Sequence, residues 1–120
     1  MNICFEYHRH SLTDNRFAAG YLLERVDRDN AKLYWQYDPC QTHAENLMGL
    51  KMALPHLTNV HVQFSDCYFN LLDLKDGRKL WKDYMKLINS TGRDHNLYLE
   101  FVKGNTIEQL KKDAKTLLKF

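Results

Sequence analysis

Asn59-Val-His-Val-Gln-Phe64, the loop Ser65 to Asp76, and then Leu80, Trp81, Tyr84, Leu87 and Ile88 form the passage that decides the fold. In its first part Val60, Val62 and Phe64 alternate with His61 and Gln63, the period of a strand. In its last part the apolar residues recur every three or four positions, the period of a helix. Gly92 stands where such a helix is expected to stop. A strand followed by a helix long enough to bring the chain back predicts that the next strand runs parallel to the first.

The same unit recurs on both sides. Upstream, Lys32-Leu-Tyr-Trp-Gln36 reads as a strand, and Thr42-His-Ala-Glu45 as a capping box opening a helix. Leu47, Leu50 and Leu54 are its expected buried stripe, and Pro55 discourages continuation. Before that comes a strand over Asn2 to His8 and a helix from about Asp14 to Val26. Thr13 or Asp14 is its expected cap, and Ala18, Leu22 and Val26 share a face. Downstream, Leu97-Tyr-Leu-Glu-Phe-Val102 is a strand, and Thr106-Ile-Glu-Gln109 a second capping box. Ile107, Leu110, Ala114, Leu117 and Leu118 are expected to line the last helix. The alternation predicts an α/β fold with four parallel strands in a single domain, 1–120. On pattern alone, a small open sheet and part of a closed barrel both remain open.

Bulk properties narrow the function classes. The chain has 120 residues and a net charge of +2, with Lys and Arg scattered among Asp and Glu. No charge stripe follows a phosphate backbone, so a nucleic-acid partner is not expected. No apolar run approaches the roughly 20 residues needed to span a bilayer, and no signal peptide is visible, so a cytoplasmic protein without a membrane partner is expected. Cys4, Cys40 and Cys67 are odd in number and widely spaced. Reduced thiols are expected there, not a disulfide framework or a zinc site.

Parallel strands usually read as continuous apolar runs. These four each carry a polar interruption: Glu6, Gln36, His61 and Glu100. All lie within or at the end of a strand, shortly before the following loop. Two carboxylates, an imidazole and an amide oxygen suit a divalent cation such as manganese, magnesium or cobalt. A buried Glu needs a partner, and a cation would serve both. Trp35 and Trp81 are assigned to core packing.

Phe5-Glu-Tyr-His8, Lys32-Leu-Tyr-Trp-Gln36, Asn59-Val-His-Val62 and Leu97-Tyr-Leu-Glu-Phe101 together resemble the last four units of the xylose-isomerase-like barrel superfamily of sugar isomerases and epimerases. The resemblance implies half of a (β/α)8 TIM barrel, equivalent to strands 5–8. It places a divalent metal on Glu6, Gln36, His61 and Glu100. Gln36 departs from the family's pattern, because that position usually holds Asp. Glu6 and Glu100 become the acid/base pair of a proton transfer next to a carbonyl. His8 and Arg78 become contacts to a sugar or sugar-phosphate substrate.

A half-barrel needs completion, since four helix-backed strands leave one face and two edges bare. A homodimer is the expected remedy, and a separate N-terminal half-barrel the alternative. The bare face is expected to expose apolar strand residues together with the proposed site. Two functional readings follow. One is a metal-dependent isomerase or epimerase. The other is a non-catalytic half-barrel that binds a sugar or completes a barrel with a partner chain.

Overall fold

The computed structural model describes residues 1–120. Its strands are β1 (Ile3–Glu6), β2 (Ala31–Trp35), β3 (Leu57–Val62) and β4 (Asn96–Leu99). Its helices are α1 (Arg16–Val26), α2 (His43–Ala53), α3 (Arg78–Asn89) and α4 (Ile107–Leu117). The strands form one sheet in the order β1-β2-β3-β4, and every pairing is parallel. Each strand returns beside its predecessor through a helical crossover. Crossovers of one hand put all the helices on one face. The arrangement is compatible with half of a (β/α)8 barrel. No helix is long and apolar enough to cross a membrane.

The core lies between the sheet and its helices. Leu33, Trp35, Val60 and Val62 face inward from the strands, and Leu50, Trp81, Tyr84 and Ile88 meet them from the helices. Trp35 and Trp81 are both 0% exposed, as expected for core residues. Their rings meet edge-on at 6.4 Å, and the Trp81 indole donates to the Gln63 carbonyl at 2.9 Å, which satisfies its buried N–H. β3 contains a register shift: Leu33 pairs with Leu57, but Tyr34 pairs with Asn59. Thr58 is the extra residue of a bulge, which keeps both Leu57 and Val60 on the helix face.

Several local expectations are corrected. Asn15, not Thr13 or Asp14, caps α1, its side-chain oxygen accepting from Phe17 and Ala18 N–H at 3.0 Å each. The face of α1 that is buried carries Ala19 and Leu23, with Leu22 and Val26 at its margin. In α2 the capping box forms as expected, but Asn46, Gly49, Leu50 and Ala53 make the buried face. The largest difference is α4. It turns Gln109, Asp113 and Thr116 inward, while Ile107, Leu110 and Leu118 are exposed. The cause is a buried polar clasp. Asp113 accepts from the Leu74 backbone N–H at 3.2 Å and from the Gln109 side chain at 2.9 Å. Gln109 therefore does not reach back to close a capping box, although Thr106 still caps the Gln109 N–H.

The bare face is also not as expected. Glu6, Tyr34, Asn59, His61, Tyr98 and Glu100 occupy it, so it is polar and aromatic, not aliphatic. The chain also contains a disulfide between Cys40, after β2, and Cys67, after β3. This overturns the expectation of three reduced thiols. Only Cys4 is free.

Candidate metal centre

Glu6 closes β1, His61 is next to last in β3, and Glu100 follows β4 directly. The ladder continues through Glu100, whose N–H donates to the Val62 carbonyl at 3.2 Å. Strand alternation therefore sends all three side chains to the open face. Their donor atoms lie within 4.8 Å of one another. His61 Nδ1 is 3.2 Å from Glu6 Oε1 and 3.6 Å from Glu100 Oε1.

The cluster is incompletely satisfied. His61 Nδ1 and Glu100 Oε2 are buried and have no hydrogen-bond partner. The 3.2 Å contact between His61 and Glu6 is thus an ion-pair distance without hydrogen-bond alignment. Tyr34 packs against the His61 ring at 4.0 Å, and Tyr98 stacks on Tyr34 at 5.9 Å, covering one side of the cluster. Burial, reinforced by the neighbouring Glu6 charge, raises the Glu100 pKa, with His8 opposing. Burial lowers the His61 pKa, although Glu6 pulls the other way. Burial thus favours the neutral imidazole over the charged one.

These features fit a hard or borderline divalent cation. Two carboxylates and an imidazole are appropriate donors, and the buried atoms without partners are the ones a cation would satisfy. Gln36 stands apart in role. It is 9% exposed, and its side-chain amide donates to the Tyr7 carbonyl at 3.1 Å.

A cavity of about 340 Å³ opens at the C-terminal end of the strands. Glu100, Gln36, His8, Arg9, Phe69 and Phe101 are among its walls. His8 is exposed there, with its Nδ1 2.6 Å from the Arg9 carbonyl. Arg78 is not part of this wall. It is exposed at the first position of α3 and is not brought to the cluster.

Sequence reading missed Tyr34 and Tyr98, which alternation alone would have placed beside His61. It also missed Arg9 and Asp38, whose pairing at 3.7 Å joins two loops distant in sequence. No local pattern announces that contact.

The chain matches no protein-family model, no curated protein and no solved structure. Fold and site together define an α/β protein with a single helix-backed parallel sheet whose open face carries a Glu-His-Glu donor cluster.

Proposed function

We propose that this chain is a half-barrel that binds a divalent cation through Glu6, His61 and Glu100. Once completed, it isomerises or epimerises a sugar or sugar phosphate by proton transfer next to a carbonyl. The observation that carries this reading is the convergence of three donors from three strands, with His61 Nδ1 and Glu100 Oε2 buried and unpaired.

The cation, when bound, supplies electrostatic stabilisation of an enediolate. The two carboxyls differ in environment, and that difference assigns their roles. Glu6 has a side chain 43% exposed and suits the base. Glu100, only 17% exposed, is the more enclosed of the two and suits the acid. His61, its neutral form favoured by burial, holds the cation. His8 and Gln36 face the cavity where a polyhydroxylated substrate would lie. The proposed setting is the cytoplasm, and the proposed completion is a second copy of the chain.

One observation favours a non-catalytic, sugar-binding half-barrel instead. Gln36 brings no charge, and its amide is engaged with the backbone at Tyr7.

Thermal unfolding with and without manganese tests the site, on wild type and Glu100→Gln. Wild type gains about 2.7 kcal/mol of stability at 100 times the dissociation constant, and the variant gains nothing. No shift in wild type defeats the metal site. Solvent deuterium entering the carbon beside the carbonyl of a ketose or ketose phosphate tests the chemistry. Cation binding without deuterium uptake would favour the non-catalytic reading.

A further inference from the structure

The Cys40–Cys67 disulfide ties the loop after β2 to the loop after β3. Both cysteines are exposed. Both loops line the cavity: Asp38 and Pro39 from the first, Phe69 and Leu71 from the second. Arg9 lies between them. Its guanidinium nitrogen is 3.1 Å from Cys40 Sγ, its Nε is 3.7 Å from Asp38, and its guanidinium carbon is 5.2 Å from the Phe69 ring centre. Arg9 thus touches both loops and only one of the two sulfurs.

We propose that Cys40–Cys67 is a thiol–disulfide exchange site that latches the cavity, with Arg9 making Cys40 the leaving group. An external thiolate attacks Cys67 Sγ and forms a mixed disulfide there. The bond to Cys40 breaks, and its electron pair leaves on Cys40 as a thiolate. The adjacent guanidinium stabilises that charge, and a better-stabilised thiolate leaves faster. The Cys67 carbonyl oxygen, 3.0 Å from the same sulfur, opposes with a partial charge. The Asp38 carboxylate opposes as well, pairing with Arg9 Nε at 3.7 Å and accepting from the Cys40 N–H at 2.9 Å, but of these groups the Arg9 guanidinium alone donates to the sulfur itself. When the reductant is a dithiol, its second thiolate attacks its own sulfur in the mixed disulfide. That step releases Cys67 and a cyclic disulfide. In total two electrons and two protons pass from the dithiol to the chain.

Opening removes the covalent tie on the segment that carries Phe69 and Leu71. The remaining ties lie within the segment, where Asp66 accepts from the Tyr68 and Asn70 N–H groups at 2.9 Å each, and at its base, where the Leu72 N–H donates to the Phe64 carbonyl at 2.8 Å. The Ser65 N–H donates to the Tyr37 hydroxyl at 2.6 Å, and that hydroxyl donates to the Ser65 carbonyl at 2.8 Å. Phe69 itself sits at φ 61, a left-handed conformation that a bulky side chain rarely adopts. Reduction therefore frees the Asp66-centred turn to move as a unit about its base, because the covalent link to the loop after β2 is gone. The site does not depend on a bound cation.

The test uses the full chain purified without reductant. Alkylation in denaturant should label Cys4 alone, and all three cysteines after dithiothreitol. Three free thiols before reduction would overturn the proposal. The native protein is then given limiting glutathione, with iodoacetamide as the trap, and its peptides are mapped by mass. Glutathione should be found on Cys67 and the alkyl group on Cys40. The reverse, or an even distribution, would overturn the role of Arg9. Arg9→Gln should lose the bias and open about threefold more slowly. Thermolysin should cut within residues 65–72 only after reduction. A cleavage rate unchanged by reduction would defeat the latch without requiring any variant to fold.

Discussion

At Glu100 a carboxyl is held with one oxygen buried and unpaired, beside a second carboxyl. Its pKa in the folded chain is raised above its unfolded value. The folded state therefore favours the protonated form. The associated stability is fully present below the unfolded value, about 4.3, and is lost as pH rises through the folded pKa. Glu100→Gln keeps the shape and removes the charge. Without cation it should be more stable than wild type at pH 7, on the order of 1–3 kcal/mol, and equal to it near pH 4. Urea unfolding at the two pH values checks this, and a variant less stable at pH 7 would contradict it. His61 has the opposite sign. Its lowered pKa gives stability that is present above about 6.5 and lost as pH falls through the folded value. Protons compete with the cation at both groups, at Glu100 above the ordinary carboxylate range and at His61 below the ordinary imidazole range. The manganese-induced stabilisation should therefore fade, on acidification, only below the ordinary histidine range. A fade that follows ordinary histidine titration instead would contradict the burial of His61.

At the scale of elements, side chains that fasten a helix to its surroundings should cost the most when lost. Asp113→Ala leaves the Leu74 N–H and the Gln109 amide without their buried acceptor. The expected loss is about 1–3 kcal/mol, with α4 first to lose amide-exchange protection. Asn15→Ala should cost about 1 kcal/mol through the N-cap of α1. Uniform loss of protection in Asp113→Ala would mean that α4 is not separately clasped. These two residues also show where sequence reading stops. The order and type of all eight elements were legible, because strand and helix periods alternate cleanly and each helix carries capping residues or breakers. The inward face of α4 was not. Apolar spacing marked Ile107, Leu110 and Leu118, while a polar clasp to a residue far along the chain decided the orientation. Leu57 was missed as a strand residue because the bulge at Thr58 breaks the alternation there. Glu6, His61 and Glu100 were legible as a set, since alternation fixes the face of each. The disulfide was not, since 27 residues separate its cysteines and only the loop paths bring them together.

For the whole molecule, the ends of the sheet decide how it is completed. β1 and β4 are both edge strands. A second copy rotated about an axis along the strands sets each β1 parallel to the partner's β4, and each α1 beside the partner's α4. Both helices are equipped for this. α1 exposes Phe17 at 65% and Tyr21 at 64%, one turn apart, and α4 exposes Ile107 at 67% and Leu110 at 44%. The flanking charges are complementary as well. Residues 103–119 carry five lysines and two acids, whereas residues 14–29 carry four acids and three arginines. In the proposed dimer the open face, being polar, would contribute a lined interior and little hydrophobic drive, so closure would draw on the helix ends. Sedimentation should therefore give twice 14.3 kDa. Leu110→Asp should weaken the dimer about tenfold or more, since burying one leucine is worth about 1.5–3 kcal/mol. Met48→Asp is the control, because Met48 is 52% exposed on α2, away from either end. Equal weakening by both substitutions would place the interface elsewhere. A wild-type monomer at every concentration would leave the two edges to a separate half-barrel chain.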